Sequence, residues 1–210
     1  MLVSDIATRV RNQFGDDAGV QIDDAKIMRW INDAMREIAL NNSLLEVKAT
    51  TAAVKDQSNY GLPTNMLALH TIRYDGVKLK KVSIAEADDL FENAGAAASG
   101  TPRYFWKEAS DFILYPKPDN NTSVVTIVYT RVPVEVTAVG NTPELPVQYH
   151  NRIVEYCIAQ AAELDDNPQL AQMKMQQFEG KTAATKQVEE EAADFYPSIT
   201  VSTRDSGWDD

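Results

Sequence analysis

A single cysteine, Cys157, excludes any disulfide within the chain. With only two histidines beside it, a zinc site built from His and Cys has too few ligands. No stretch approaches the ~18 apolar residues of a membrane helix. Met1 to Asp5 lacks the basic start and apolar run of a signal peptide. These absences predict a chain that stays in a cytosol, or in a particle assembled there. Phosphate-cradling glycines are also missing, since Gly95 and Gly100 are five apart with no Lys-Ser/Thr after them. Positive charge is short as well: 20 Lys and Arg face 31 Asp and Glu, a formal net charge of −11. A surface that grips nucleic acid by neutralising phosphates is therefore not expected. An acidic wall past which DNA slides without sticking stays compatible with that charge.

What is present is ordinary for a globular protein of 210 residues: 44% hydrophobic and 24% charged. The order of parts carries more information. Ser4 is a candidate cap for a first helix with Ile6, Val10 and Phe14 at helical spacing, ended by Gly15. Asp23 or Asp24 caps a second, whose stripe is Ile27, Trp30, Ile31, Ala34, Met35 and Ile38. From Leu44 the period changes to two, with Leu45, Val47, Ala49 and Thr51 on one face. Tyr60 to Pro63 reads as a turn. Asp75-Gly76 between Leu69–Tyr74 and Val77–Val82 predicts a hairpin. Ser83 and Glu86 have capping-box spacing for a short helix to about Asn93, followed by a small-residue loop, Gly95 to Gly100. Strands follow at Thr101–Trp106, Phe112–Tyr115 and Val124–Thr130, with a turn at Pro116–Asn121. Their short loops predict one antiparallel sheet of about five strands.

Helical spacing returns at Val147, His150, Val154, Cys157, Ala161 and Leu164. Asn167 caps and Pro168 opens a last helix, with Ala171, Met175, Phe178, Thr182, Thr185, Val188, Ala192 and Phe195 on its stripe. Pro197 ends it, and the alternating segment Ser198–Thr203 has no strand partner in its own chain. The expected class is α+β: a four-helix frame (1–43 and 146–197) interrupted by an antiparallel β-sheet insertion (44–145), with an extended C-terminal arm (198–210). A frame split by an insertion, with a free arm, suggests an assembly part rather than an enzyme.

Candidate sites are few. His150 and Cys157 share an apolar stripe and read as buried side chains. Asp165-Asp166 reads as an interhelical turn, and Asp111 and Asp119 as turn formers. Glu189-Glu190-Glu191 reads as a solvated helix face, with an acidic patch toward DNA or a basic partner as the alternative. Nothing selects two acids for hydrolysis. Trp208 has no evident core to join. It is either part of a disordered tail or an aromatic anchor on a partner, with Ile199 and Val201 adding to a partner sheet. The 13 residues after Pro197 would span ~40 Å when extended.

Several segments together resemble the head-to-tail adaptor (connector) proteins of tailed bacteriophages. These are Trp30–Ile38, Tyr60-Gly61-Leu62-Pro63, Thr101–Tyr104 followed by Ile113–Pro118, Val125–Tyr129 and Leu145–Val154. The resemblance covers residues 20 to 195. It implies a ring of twelve copies between a portal ring and a tail or nozzle protein, in the neck of a virion assembled in the host cytoplasm. It also implies a channel through which double-stranded DNA passes without sequence-specific binding, no cofactor, no catalysis and no membrane. The C-terminal segment is then the portal clasp, with Tyr196, Ile199, Val201 and Trp208 as candidate contacts. Two other classes compete: a hydrolase using two acids, and an accessory interaction or DNA-binding module on the 23–41 helix. That helix sets Lys26, Arg29 and Arg36 against Asp23, Asp24, Asp33 and Glu37.

Overall fold

The computed structural model describes residues 1–94 and 98–180. Helix α1 spans Val3–Phe14 and α2 spans Asp24–Asn41. Among the described residues the long insertion contains eight strands: β1 Glu46–Ala52, β2 Asn59–Gly61, β3 Met66–Tyr74, β4 Val77–Lys78, β5 Lys80–Lys81, β6 Tyr104–Glu108, β7 Asp111–Tyr115 and β8 Val124–Arg131. Helix α3, Ile84–Ala94, lies between β5 and β6. A 3-10 turn, Val147–Tyr149, then leads into α4, His150–Leu164, and α5 occupies 168–180.

One core joins the helices outside the insertion. Val3, Ile6 and Val10 of α1 meet the whole predicted stripe of α2, together with Ile153, Cys157 and Ile158 of α4 and Phe178 of α5. The α2 stripe works because apolar residues three and four apart share one helix face. Asp23 is the cap of α2, its side chain accepting from Lys26 N at 2.8 Å. The start of α1 differs from expectation. Leu2, not Ser4, is its N-cap, because the Asp5 carboxylate accepts from Leu2 N at 2.9 Å. Gly15 ends α1 at φ 67°, the left-handed region that a Cβ disfavours.

The insertion has two sheets rather than one. Sheet A has the order β1-β8-β3-β4, and sheet B the order β2-β7-β6-β5. They stack face to face: Ile72, Tyr74, Val125, Ile127 and Tyr129 of sheet A pack on Tyr60, Phe105, Phe112 and Leu114 of sheet B. The other face of sheet B, through Trp106 and Tyr115, packs on Val82 and Ala87 at the start of α3.

Four expectations fail here for identifiable reasons. The run Val77–Val82 is not one strand: β4 closes the Asp75-Gly76 hairpin in sheet A, while β5 joins sheet B. The β5–β6 pair is parallel, Lys80 opposite Tyr104. A helix spans that connection, so it is long enough for the crossover that short loops forbid. Tyr60 is not in a turn, since β2 pairs Tyr60 with Phe112. Asp111 likewise starts β7, and its carboxylate accepts from Asn59 Nδ2 at 3.1 Å. The turn before β8 is held by Asn120, whose Oδ1 accepts from Thr122 N and Ser123 N. Of the small-residue loop, 98–100 is tied down, Gly100 N donating to the Lys117 carbonyl at 2.7 Å.

The α4 stripe also needs correction. His150, Val154, Cys157 and Ala161 are buried, but Val147 is 74% exposed and Leu164 is 54% exposed. The tighter 3-10 winding of 147–149 takes Val147 out of the α-helical register. Ser83 and Glu86 do form the predicted capping box, with bonds of 2.7 and 3.2 Å. Asn167 caps α5, Oδ1 accepting from Leu170 N at 3.2 Å.

Candidate assembly surfaces

The residues predicted to contact a partner, Tyr196, Ile199, Val201 and Trp208, lie outside the described residues, as does Glu189-Glu190-Glu191. The structure does describe the base from which they extend. Phe178 of α5 packs edge-on against Tyr156 of α4, ring centroids 5.2 Å apart, and Ala171 is buried beneath the same helix. Burial, with Asp33 and Glu37 nearby, pushes the Tyr156 hydroxyl up from its ordinary value.

The insertion is coupled to the frame by a return segment, 132–146, that has no regular structure of its own. Its backbone groups are met by side chains, as partly buried polar groups require. Asn32 of α2 donates to the Val136 carbonyl at 3.2 Å and accepts from Val136 N at 2.8 Å. Glu144 accepts from Val134 N at 2.8 Å and forms a two-pronged ion pair with Arg131 at the end of β8. Arg36 of α2 pairs with Glu135. The start of α1 docks on the same segment: Val3 N donates to the Asn141 carbonyl and Ser4 N to the Val139 carbonyl, both at 2.9 Å.

The Arg131 guanidinium, followed by the Val134 N–H, holds the Glu144 carboxyl below its ordinary value despite partial burial. A depressed carboxyl contributes stability that is complete above the unfolded value near 4.5. That contribution disappears as the pH falls through the lower folded value. Glu144→Gln is expected to cost ~1–3 kcal/mol at neutral pH and to flatten the acid limb of the stability profile. Urea melts of both proteins from neutral to acid pH measure this.

Three exposed apolar residues lie on the start of α1, the return segment and the turn before α4. Leu2 is 42% exposed, Val139 is 38% exposed, and Val147 is the 74%-exposed residue before α4. Their neighbours are tied together: Val139 to Ser4 as above, and Met1 N to His150 Nδ1 at 3.2 Å. His150 is itself buried, its Nε2 donating to the Leu145 carbonyl at 2.8 Å. It is thus a structural histidine, as its place on the stripe suggested. Cys157 is fully buried, and burial pushes its thiol strongly up, the reverse of what a nucleophile needs.

A second surface was missed by the sequence reading. The β4 hairpin and residues 101–103 enclose an open groove of about 260 Å³, lined by Tyr74, Asp75, Val77, Lys78, Leu79, Thr101, Pro102 and Arg103. Val77, 69% exposed, lies at its rim. The signal available beforehand was the run Lys78-Leu79-Lys80-Lys81, obscured by the strong overall acidity.

Paired acids lie near one other cleft, of about 460 Å³, lined by Glu135 and Glu144 among others. Each is paired with an arginine, and for Glu144 that pairing pulls the carboxyl down, the reverse of what a general acid needs. Among the described residues no cluster of His, Cys, Asp or Glu could hold a metal ion. No helix among them is long and apolar enough to cross a membrane.

Comparison with known families decides between these readings. The family model described as SU10 adaptor protein matches residues 1–202, which takes in the frame, the insertion and the first five residues of the arm, 198–202. The chain belongs to the SU10 adaptor protein family. This is a family of phage head-to-tail adaptors, structural rather than enzymatic. A search of curated proteins gave no match.

Proposed function

We propose that this SU10-family chain is a virion neck adaptor, assembled in the host cytoplasm as a ring of twelve copies between a portal ring and a tail or nozzle protein. The observation that carries the reading is the family match across residues 1–202. The exposed apolar residues Leu2, Val139 and Val147 are compatible with contact to another chain. The net charge of −11 suits a channel past which DNA moves without binding. The four-part division of the chain, frame–insertion–frame–arm, belongs to the same proposal. The frame would build the ring wall and the insertion would face the tail. The arm, through Tyr196, Ile199, Val201 and Trp208, would clasp the portal.

Ring formation is expected to be cooperative with portal contact, as when a segment's ordering is coupled to its binding. Trp208→Ala is expected to weaken portal binding by ~2–4 kcal/mol, as an aromatic anchor does. The direct test is complementation of filled heads made without this protein. Purified adaptor should restore tail joining, and protein lacking 198–210 should not. Full activity of the truncated protein would defeat the clasp, and failure of the intact protein would defeat the adaptor role.

A further inference from the structure

The groove beside the β4 hairpin has a chemistry that the fold itself does not explain. Arg73 and Lys78 are directly opposite each other on β3 and β4, a like-charge pair that destabilises the ladder. Lys80 and Arg103 adjoin them, Lys80 N donating to the Arg103 carbonyl at 2.9 Å. Among the described residues, Arg73, Lys78, Lys81 and Arg103 have no hydrogen-bonded or ion-paired side-chain partner, and Lys80 feels only the charge of Glu86. Of these cations Lys78 and Arg103 line the groove, around an apolar floor of Tyr74, Val77, Leu79 and Pro102; Asp75, which also lines it, already accepts from Val124 N at 2.8 Å. Cations around an apolar slot suit an aromatic side chain flanked by carboxylates. A nucleic-acid backbone would use the cations and leave the slot empty.

The chain carries such a segment in Asp205-Ser206-Gly207-Trp208-Asp209-Asp210. We propose that this groove receives the C-terminal Trp208-Asp209-Asp210 of the chain in its free state. The indole of Trp208 enters the slot over Val77 and Pro102. Asp209 and Asp210 meet Lys78, Lys80 and Arg103. Between Gly180 and Trp208, 28 residues span ~40 Å if helical and ~90 Å if extended, so length does not prevent the contact. A tail held this way is kept from other surfaces until a partner displaces it. The proposal concerns the free chain and stands apart from the portal-clasp reading.

The test is zero-length carbodiimide coupling of the intact chain, with no portal present, followed by peptide mapping. Lys78 or Lys80 should be joined to Asp209 or Asp210. Those links should fall at least several-fold in Trp208→Ala, which keeps every carboxylate and alters no described residue. Arg103→Glu should have the same effect, and high salt should weaken it further. Absent links, or links unchanged in Trp208→Ala, would overturn the proposal. So would lysines that become protected only when DNA is added. Because no portal enters the measurement, its failure leaves the clasp untouched.

Discussion

Ile31→Asp is expected to leave no folded helical frame at 25 °C. Ile31 is fully buried in the middle of α2, inside the core that joins α1, α2, α4 and Phe178. Removing the isoleucine forfeits ~2–3 kcal/mol of burial. The carboxylate that replaces it must stay charged without a partner or take up a proton, and either route costs several kcal/mol more. Native domains have only ~5–15 kcal/mol in total. Circular dichroism and size exclusion would report the loss. Ile31→Val, costing ~0.5–1.5 kcal/mol, separates the charge from the cavity. A folded Ile31→Asp protein with unchanged melting would mean that this core is not what holds the frame.

Phe112→Ala is expected to cost ~3–5 kcal/mol, with its damage concentrated in the insertion. Phe112 is fully buried between the sheets and stacks on Tyr60, centroids 5.5 Å apart and planes 19° from parallel. It belongs to a core distinct from that of the frame. Hydrogen exchange should therefore show β2, β6, β7 and β8 losing protection while α2 and α4 keep most of theirs. Equal loss in α2 would show that the return segment, through Asn32 and Glu144, fuses the two cores into one cooperative unit.

Those two cores were unequally legible beforehand. The α2 stripe, the Asp75-Gly76 turn and the caps at Ser83 and Asn167 are local signals. Each follows from residues within one or two turns of each other, and all four stand in the structure. Gly76 at φ 83° and Asp75 at φ 47° have the paired positive angles that such a hairpin needs. What failed is non-local. Six residues, 77–82, contribute to two sheets, and nothing within them marks the change at Leu79. Strand β2 is three residues long and exists only because β7 pairs with it. Leu45 sits at φ 58° at the junction of frame and insertion, a position no pattern predicts. It is kept there by packing on the frame core and by accepting from Arg131 N at 3.2 Å. The basic groove was hidden for the same reason, because residues 73–79 and 101–103 meet only once the parallel β5–β6 pair forms. The predicted contacts Tyr196, Ile199, Val201 and Trp208 rest on sequence and family resemblance alone.

The central claim is that this SU10-family chain is a neck adaptor, and portal binding tests it most directly. Mass photometry of the protein mixed with the portal of the same phage would measure it. The account predicts a portal ring that gains about one copy of this chain per portal subunit, with intermediate loadings scarce because assembly is cooperative. It predicts that the gain is lost when 198–210 are removed. A portal ring whose mass does not change with the intact protein, at concentrations where that protein is folded, would contradict it.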